Sequence, residues 1–585
     1  MQTHDPVDVV TMGAGWTAGI IAQQLTDQGM SVVSLERGQN RWAEPDFEHN
    51  HDGLRYSSRY HLHHQLAKES WTWRPEPGKP ALPMRTYGSF HPGQGLGGAG
   101  VHWAGETWRF FPSDFQYRSH HIERYGEDKL PENTTVQDWP ITYDELEPYY
   151  DRWEYDVGVS GTTGNLGGQV VNGGNPFEGP RRRTYPLPPL QTSIAGKMFA
   201  EGAQSLGLHP FPQPVGILSE AYTDMSGQER AGCIYCGFCV RYGCEVDAKS
   251  SAIVAHIPMA MDTGRYEVRQ GATVIGIEMA DNGRATGLRY LDNAGQEHLQ
   301  PADVVVMSGY PLSNVRLMLM STGDAHADGV GNNQGMLGKN FTYQLVKTPV
   351  HGLFEGQRLN SFMGNAGVQQ IVHDFNADNF DHSDLDFIGG AGIEGGGGER
   401  QPLMTAGDFP VVGDGKDWGA DWKEQLRHWD SWIPLQIQGE SLPYPEHTLD
   451  LDPNFTDAFG LPLLRLTFDF RENDYNLYRY LTERASEIMR AMNPTDMHVE
   501  PELEPYEYWP YQSTHITGGA IMGSDPGNSV TNKYGQVWDA ENVFVTGATL
   551  YPQNPGLNPT STLCALSYLT AEGIADYHRN PRMLT

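Results

Sequence analysis

The opening of the chain is its most constraining feature. In DVVTMGAGWTAG (8–19) the apolar Val9 and Val10 lead into Gly13, Gly15 and then Ala18–Gly19, and SVVSLERG (31–38) gives a second apolar run ending on Glu36. The order is strand, glycine turn, helix start, strand, acid. Gly13 permits the tight turn, Gly15 lets the backbone approach a pyrophosphate, and a small residue at Gly19 lets the helix pack closely on the strand. Glu36 follows about twenty residues on, where a carboxylate accepts hydrogen bonds from both ribose hydroxyls and repels a 2′-phosphate. A lone glycine signature is weak evidence, but with both strands and the acid it predicts a dinucleotide-binding βαβ unit. NAD and FAD both stay open at this point. A glycine loop without a ligand is the plainer alternative.

The second signal is chemical. Cys233, Cys236, Cys239 and Cys244 fall in CIYCGFCVRYGC, and the fifth cysteine is Cys564. Short loops between ligands cost little closure entropy, so four thiols at this spacing can converge on one centre. The spacing is close to the C-x2-C-x2-C run that holds iron–sulfur clusters in ferredoxins. Zinc usually takes two pairs separated by a longer gap, and two disulfides in so tight a knot are strained. The reading favours iron–sulfur, as [4Fe–4S] or as [3Fe–4S] with a spare ligand, with zinc and then disulfides or free thiols as alternatives. Such a centre moves electrons one at a time. Cys564, on the last predicted helix, reads as a buried small apolar residue.

With 585 residues, the chain should form two domains around a large core. It has no run of about 20 apolar residues, so it does not span a membrane by itself. MQTHDPVDVV enters the first strand without a basic or apolar leader. A net charge of −33 argues against nucleic acid and anionic lipid as partners, and reads as solubility. Few cysteines outside the cluster suggest folding in a reducing compartment. No repeats occur, and IEGGGGERQP (393–402) reads as a loop.

Other nucleotide-binding features are scattered. GQGLGGAGVHWAG (93–105) is a second glycine loop, with Gly97 and Gly98, ending near His102 and Trp103. The stretch between it and the first βαβ unit is rich in His, Trp and Pro, with little periodicity. A helix is predicted near Ser193–Leu206. Residues 266–309 read as strands joined by Asn-Gly-type turns, closing on Val304–Met307, with a helix over LSNVRLMLMS. Residues 346–500 mix strands and loops with an amphipathic helix, Tyr475–Met492, whose Leu477, Leu481, Ile488 and Met489 face a core.

The tail carries the candidate chemistry. His515 lies in STHITGGAIMG before a glycine pair, and Asn558 precedes Pro559 and a helix-forming stretch to about Tyr577. Asn is a favoured N-cap and Pro a favoured first helical residue. The positive end of that helix suits the charge of a reduced flavin. A neutral histidine can take a hydroxyl proton while hydride leaves for a flavin; a satisfied structural histidine is the bland alternative.

GAGWTAG, GGAGVHWAG, SGYPLSNVRLMLMS, LGKNF (337–341) and HITGGAIMG…NVFVTGATLYPQNPGLNPTSTL together resemble the glucose–methanol–choline (GMC) oxidoreductases over nearly the whole length. The resemblance implies an α/β fold. A Rossmann-like FAD-binding domain would come from 1–115, 225–345 and 505–585, and a second α+β substrate-binding domain from 116–224 and 346–504. It implies FAD held by Gly13, Gly15, Gly19, Glu36, Gly97, Gly98, His102, Trp103, Val274, Gly547, Ala548, Pro559 and Thr560. It also implies oxidation of a carbinol by a His–Asn pair, His515 and Asn558.

Within the family, the cysteine knot is most similar to flavoprotein subunits of membrane-associated, gluconate-type dehydrogenases. Those imply a sugar or sugar-acid substrate, a small subunit carrying the export signal, and a cytochrome c subunit that passes electrons to quinone. The expected location is then the periplasmic face of the inner membrane, reached only through partners, with the cytoplasm as alternative. Val-His-Trp at 101–103 resembles the Thr-His-Trp of pyranose oxidases without the threonine. This predicts a covalent flavin link at His102, against an ordinary histidine packed beside the ring. His61, His63 and His64 read as surface or cofactor-adjacent, with a metal as the lesser alternative. Gln438 and Glu440 border the substrate cavity or bond between domains. Trp103 and Trp108 stack near the ring or a sugar, or fill core. Rival functions remain: an FAD-dependent glucose or fructose dehydrogenase, whose cluster has a different cysteine spacing, a soluble pyranose or glycoside oxidase, and a non-catalytic electron-transfer subunit.

Overall fold

A computed structural model of the chain describes residues 1–47, 61–360, 364, 366–397, 416, 418–509 and 514–585. The loop reading of 393–402 therefore falls partly outside the described residues. Val7–Met12 runs parallel to Val32–Glu36 on one side and to Glu297–Met307 on the other. Tyr266–Gln270 extends the sheet beyond Val32–Glu36, and Ala540–Val545 pairs in parallel with the end of Glu297–Met307. Val9, Val10, Val304, Val305, Val306, Val543 and Val545 are all fully buried, as β-branched runs are when both faces of a parallel sheet are covered. Trp16–Thr26 packs against both Thr560–Arg579 and His256–Asp262. The first half of Glu297–Met307 turns antiparallel to Ala285–Leu291, which pairs with Thr273–Met279. That is the meander expected from its turns.

Gly19 corrects one expectation. A Cβ there would lie 3.1 Å from Ile257 Cγ1 and 3.4 Å from the Ala252 Cβ. The close approach is thus to the segment 252–257 beside the first helix, not to the strand beneath it.

A second sheet, antiparallel, orders Asp496–Val499, Leu345–Leu353, Trp432–Gly439, Ala391–Gly395, Gln370–Val372 and Phe211–Pro212. The helix Glu472–Ala491 lies on it with Leu477, Leu481, Ile488 and Met489 fully buried. It starts earlier than the apolar pattern suggested because Asp474 accepts from the Arg471 N–H at 2.8 Å. Ile194–Ser205 is capped by Ser193, whose Oγ accepts from the Gly196 N–H at 2.9 Å. The helix over LSNVRLMLMS is Pro311–Met320. A four-stranded sheet joins Thr448–Thr456 and Pro462–Thr467 to Trp71–Arg74 and Leu82–Pro83. The aperiodic early segment thus supplies one inner strand, Trp71–Arg74, and one edge strand, Leu82–Pro83. Among the described residues no helix is long and apolar enough to cross a membrane.

Candidate active site

A cavity of about 480 Å³ opens at the carboxyl ends of the three central parallel strands, against Met12, Leu35, Glu36 and Ser308. That is where open α/β sheets place ligands, and the volume falls within the ~300–1,000 Å³ of cofactor-sized sites. Gly13 has φ +89°, a conformation that glycine adopts without strain. The two glycine loops interleave: the Gly97 N–H donates to Ala14 O at 2.7 Å, and a Cβ on Gly98 would lie 3.2 Å from Gly15 Cα. The helices at Trp16 and Thr560 begin at the cavity wall, so their unpaired N–H groups favour negative charge there.

Gly13, Gly15, Glu36, Gly98, His102, Trp103, Val274, Gly547, Ala548, Pro559 and Thr560 all line this space, whereas Gly19 and Gly97 do not. A Cβ on Gly97 would strike the side chains of Val101 and Ile253 at 2.6 and 2.8 Å, so its role is packing. Glu36 accepts from the N–H groups of Ala14 (3.2 Å), Gly38 (2.8 Å) and Gly95 (2.9 Å). The carboxylate is first a brace between the loops. With about four lone-pair positions in all, it has room for one ribose hydroxyl where two were expected. The cradle of glycine backbone, two helix N-termini and a buried acid fit a dinucleotide with its pyrophosphate.

At the far end, His515 and Asn558 meet as expected, with Nε2 and Nδ2 3.2 Å apart. The surrounding amides fix which atom does what. The Trp108 indole can only donate, and its Nε1–H points at Asn558 Oδ1 at 2.6 Å. Gln438 Nε2 donates to the same oxygen at 2.9 Å. Asn558 therefore turns its NH₂ toward His515 Nε2. Gln344 Nε2 donates to the carbonyls of Pro555 (2.8 Å) and Leu557 (3.1 Å), which leaves Gln344 Oε1 to accept from His515 Nδ1. His515 is thus the Nδ1–H tautomer, with the lone pair of Nε2 facing the cavity. Burial lowers its pKa to about 4, so the ring is neutral at physiological pH.

Asn558 also corrects the sequence reading, because it does not cap the last helix. That helix is Thr560–Arg579 with no side-chain cap, and the Asn558 amide is spent on the network just described. Of the other candidates, Gln438 lines the cavity, while Glu440 binds the Gly390 N–H at 3.0 Å away from it. Trp103 lines the cavity and bonds Ser250 O at 2.8 Å. Trp108 is buried in the core and still acts on the site. Cys564 is fully buried. Sequence reasoning missed Glu106, Gln344 and Gln436, which sit in no motif; Glu106 follows the second glycine loop by one residue, and that proximity was the available signal.

His61 is exposed, but His63 and His64 are buried. The His63 ring lies 4.3 Å from that of His102 and 5.0 Å from that of His91. Among the described residues the one group of His, Cys, Asp or Glu donors within 4.8 Å of one another is Asp8, Asp303 and His578, so the histidine cluster does not form a metal-ion set. His102 Nε2 is buried with no hydrogen-bond partner among the described residues, and burial lowers its pKa to about 3.

The cysteine loop is fastened to the second glycine loop. Lys249 Nζ donates to the carbonyls of Trp103 (2.7 Å), Cys239 (2.6 Å) and Tyr242 (2.8 Å), and the Arg241 N–H donates to His102 O at 2.8 Å. Val240 and Arg241 line the cavity. Tyr235, Gly237 and Arg241 take positive φ of 56°, 77° and 70°, which coils the loop. The Tyr235 N–H donates to Cys233 Sγ at 3.3 Å, and the Lys249 N–H to Cys244 Sγ at 3.4 Å. None of the five cysteines forms a disulfide. No three of the four sulfurs come within 4.8 Å of one another, wider than the ~3.8 Å edge of a zinc tetrahedron with bonds of about 2.3 Å.

Two family models, both described as GMC oxidoreductase, match residues 135–346 and 443–567. The chain is 38% identical to the gluconate 2-dehydrogenase flavoprotein of Pantoea cypripedii, over 98% of this chain and 94% of that one. It is 27% identical to the fructose dehydrogenase large subunit of Gluconobacter japonicus, over 97% of each. The solved pyridoxine 4-oxidase from Mesorbium loti shares the fold, with a TM-score of 0.59 at 15% identity, over 98% of this chain and 100% of that one.

Proposed function

The chain belongs to the GMC oxidoreductases and is an FAD-dependent oxidoreductase of CH–OH groups, and on that premise we propose that it oxidises a secondary or anomeric hydroxyl of a sugar or sugar acid. The observation that carries this reading is the fixed tautomer of His515 opposite Asn558. A substrate hydroxyl that replaces the direct contact between them donates to His515 Nε2 and accepts from Asn558 Nδ2. His515 takes the hydroxyl proton, and Gln344 Oε1, held in place by its own two hydrogen bonds, steadies the resulting imidazolium through Nδ1–H. FAD, when bound, supplies the hydride acceptor. Gly13, Gly15, Gly98, Glu36, Gly547 and Thr560 would hold it, within a flavin-binding unit drawn from 1–115, 225–345 and 505–585. The unit over 116–224 and 346–504 would complete the substrate side. His102, with its bare buried nitrogen beside the cavity, is the residue through which the flavin would be tethered.

The cysteine loop then serves as the electron exit. The spacing of Cys233, Cys236, Cys239 and Cys244, close to C-x2-C-x2-C, and the backbone N–H groups that donate to Cys233 and Cys244 Sγ are what support an iron–sulfur cluster there. The acceptor would be a cytochrome c subunit, with a small partner subunit bringing the complex to the periplasmic face of the membrane.

The test is anaerobic addition of a panel of sugars and sugar acids to the purified holoenzyme while flavin colour is followed. Bleaching by a panel member in the native protein, and none in His515→Ala, is the expected outcome. A panel that leaves the colour unchanged overturns the reading, and peroxide formed in step with substrate loss in air marks an oxidase instead.

A further inference from the structure

The charge of the substrate can be argued from the cavity wall, on the premise of the dehydrogenase reading above. Glu106 lines the cavity, and its carboxyl interacts with the amides of Asn558 and Gln213. Behind it stands Glu394, buried on Ala391–Gly395, near enough for the two carboxyls to act on each other. Glu394 accepts from Gln369 Nε2 at 2.9 Å and from Gln436, and Gln369 also donates to Gln213. Gln436 returns to the cavity wall. The two acids are thus embedded in amides.

Of the lining arginines, Arg37 and Arg316 bind Glu69 at 2.6 and 2.9 Å, and Arg316 also binds Asp457 at 2.7 Å; Arg241 lines the cavity on the side of the second glycine loop, where its backbone N–H donates to His102 O. Two carboxyls that act on each other in a desolvated wall resist double ionisation. Either form suits a hydroxyl, since a carboxylate accepts and a carboxylic acid donates. A substrate carboxylate beside Glu106 brings a further anion to this pair.

We propose that Glu106, backed by Glu394, reads the substrate: it holds a hydroxyl neighbouring the one that is oxidised and restricts the enzyme to uncharged sugars or polyols over the matching sugar acids. The test compares kcat/KM of the holoenzyme, with an artificial electron acceptor, for glucose, fructose and polyols against aldonates of the same length. The uncharged compounds should lead by about tenfold or more, the worth of roughly one pKa unit of charge interaction. E106Q should narrow that ratio by a similar factor, and E394Q, which does not touch the cavity, should move it the same way by less. As a measurement independent of any variant, an aldonate should inhibit oxidation of the best uncharged substrate more weakly than the matching polyol does. Preference for aldonates in the native enzyme, or a ratio unmoved by both variants, overturns the proposal. Loss of all flavin reduction across both panels would mean that the dehydrogenase reading itself fails, and this inference with it.

Discussion

At the scale of single residues, the site works by committing each amide to one orientation. Trp108 and Gln438 both donate to Asn558 Oδ1, and Gln344 spends its NH₂ on two carbonyls, so the histidine lone pair is placed by the hydrogen bonds of its neighbours. Gln344→Leu removes the acceptor for Nδ1–H. The expected result is a fall in kcat of about 10- to 100-fold with KM little changed, a share of the 10²–10⁴ a positioned base contributes, read by steady-state kinetics on the best substrate. The pH profile follows from the same atoms. The base must be neutral, and burial lowers the His515 pKa to about 4 from 6.5. The acid limb of kcat/KM should therefore fall near pH 4, with activity retained through pH 6.5; a midpoint near 6.5 contradicts the buried geometry.

At the scale of elements, the decisive contacts are between loops. Gly98 approaches Gly15 so closely that a methyl at 3.2 Å from Gly15 Cα has to displace backbone, and Gly98 also has φ +55°. Gly98→Ala should lower the flavin-to-protein ratio of the purified enzyme more than it lowers Tm, because the strain falls on the cradle and not on the sheet. Lys249 joins the second glycine loop to the cysteine loop through three carbonyls. Lys249→Met leaves those acceptors buried without their cation. At about 1.5–3 kcal/mol for hydrogen bonds to a charged group, a clear drop in Tm is expected by calorimetry, with iron content falling alongside. The last helix shows the limit of local rules. Asn-Pro reads as a capped start, yet Asn558 leaves the cap to join a network whose other members, Trp108 and Gln438, lie 450 and 120 residues away in sequence.

For the whole molecule, the cavity and the cysteine loop share a wall at Val240 and Arg241, and on the proposed function oxidation of substrate and delivery of electrons would fall on its two sides. Cys236→Ser should leave anaerobic flavin reduction intact while slowing reduction of a cytochrome acceptor by tenfold or more (about 1.4 kcal/mol of barrier). Stopped-flow traces of both steps decide it, and loss of the first step would refute the division. How much of this was legible depends on sequence distance. Gly13 and Gly15 lie within one βαβ unit, where local geometry predicts the role, whereas Glu36 also takes the N–H of Gly95 from the second glycine loop. The buried helix face of Leu477, Leu481, Ile488 and Met489 follows from period alone. Trp71–Arg74 did not, because its full-length pairing is with the distant Pro462–Thr467.

By itself, the sequence determined the parallel βαβ start, the second glycine loop, the grouped cysteines and the presence of His515 and Asn558, since each depends on residues close together along the chain. Only the tertiary structure decided that Gly19 and Gly97 pack instead of binding, that Glu36 braces two loops, and that Glu106 and Gln344 belong to the site. Those roles come from side chains converging out of separate strands and loops, and no spacing along the chain encodes that convergence.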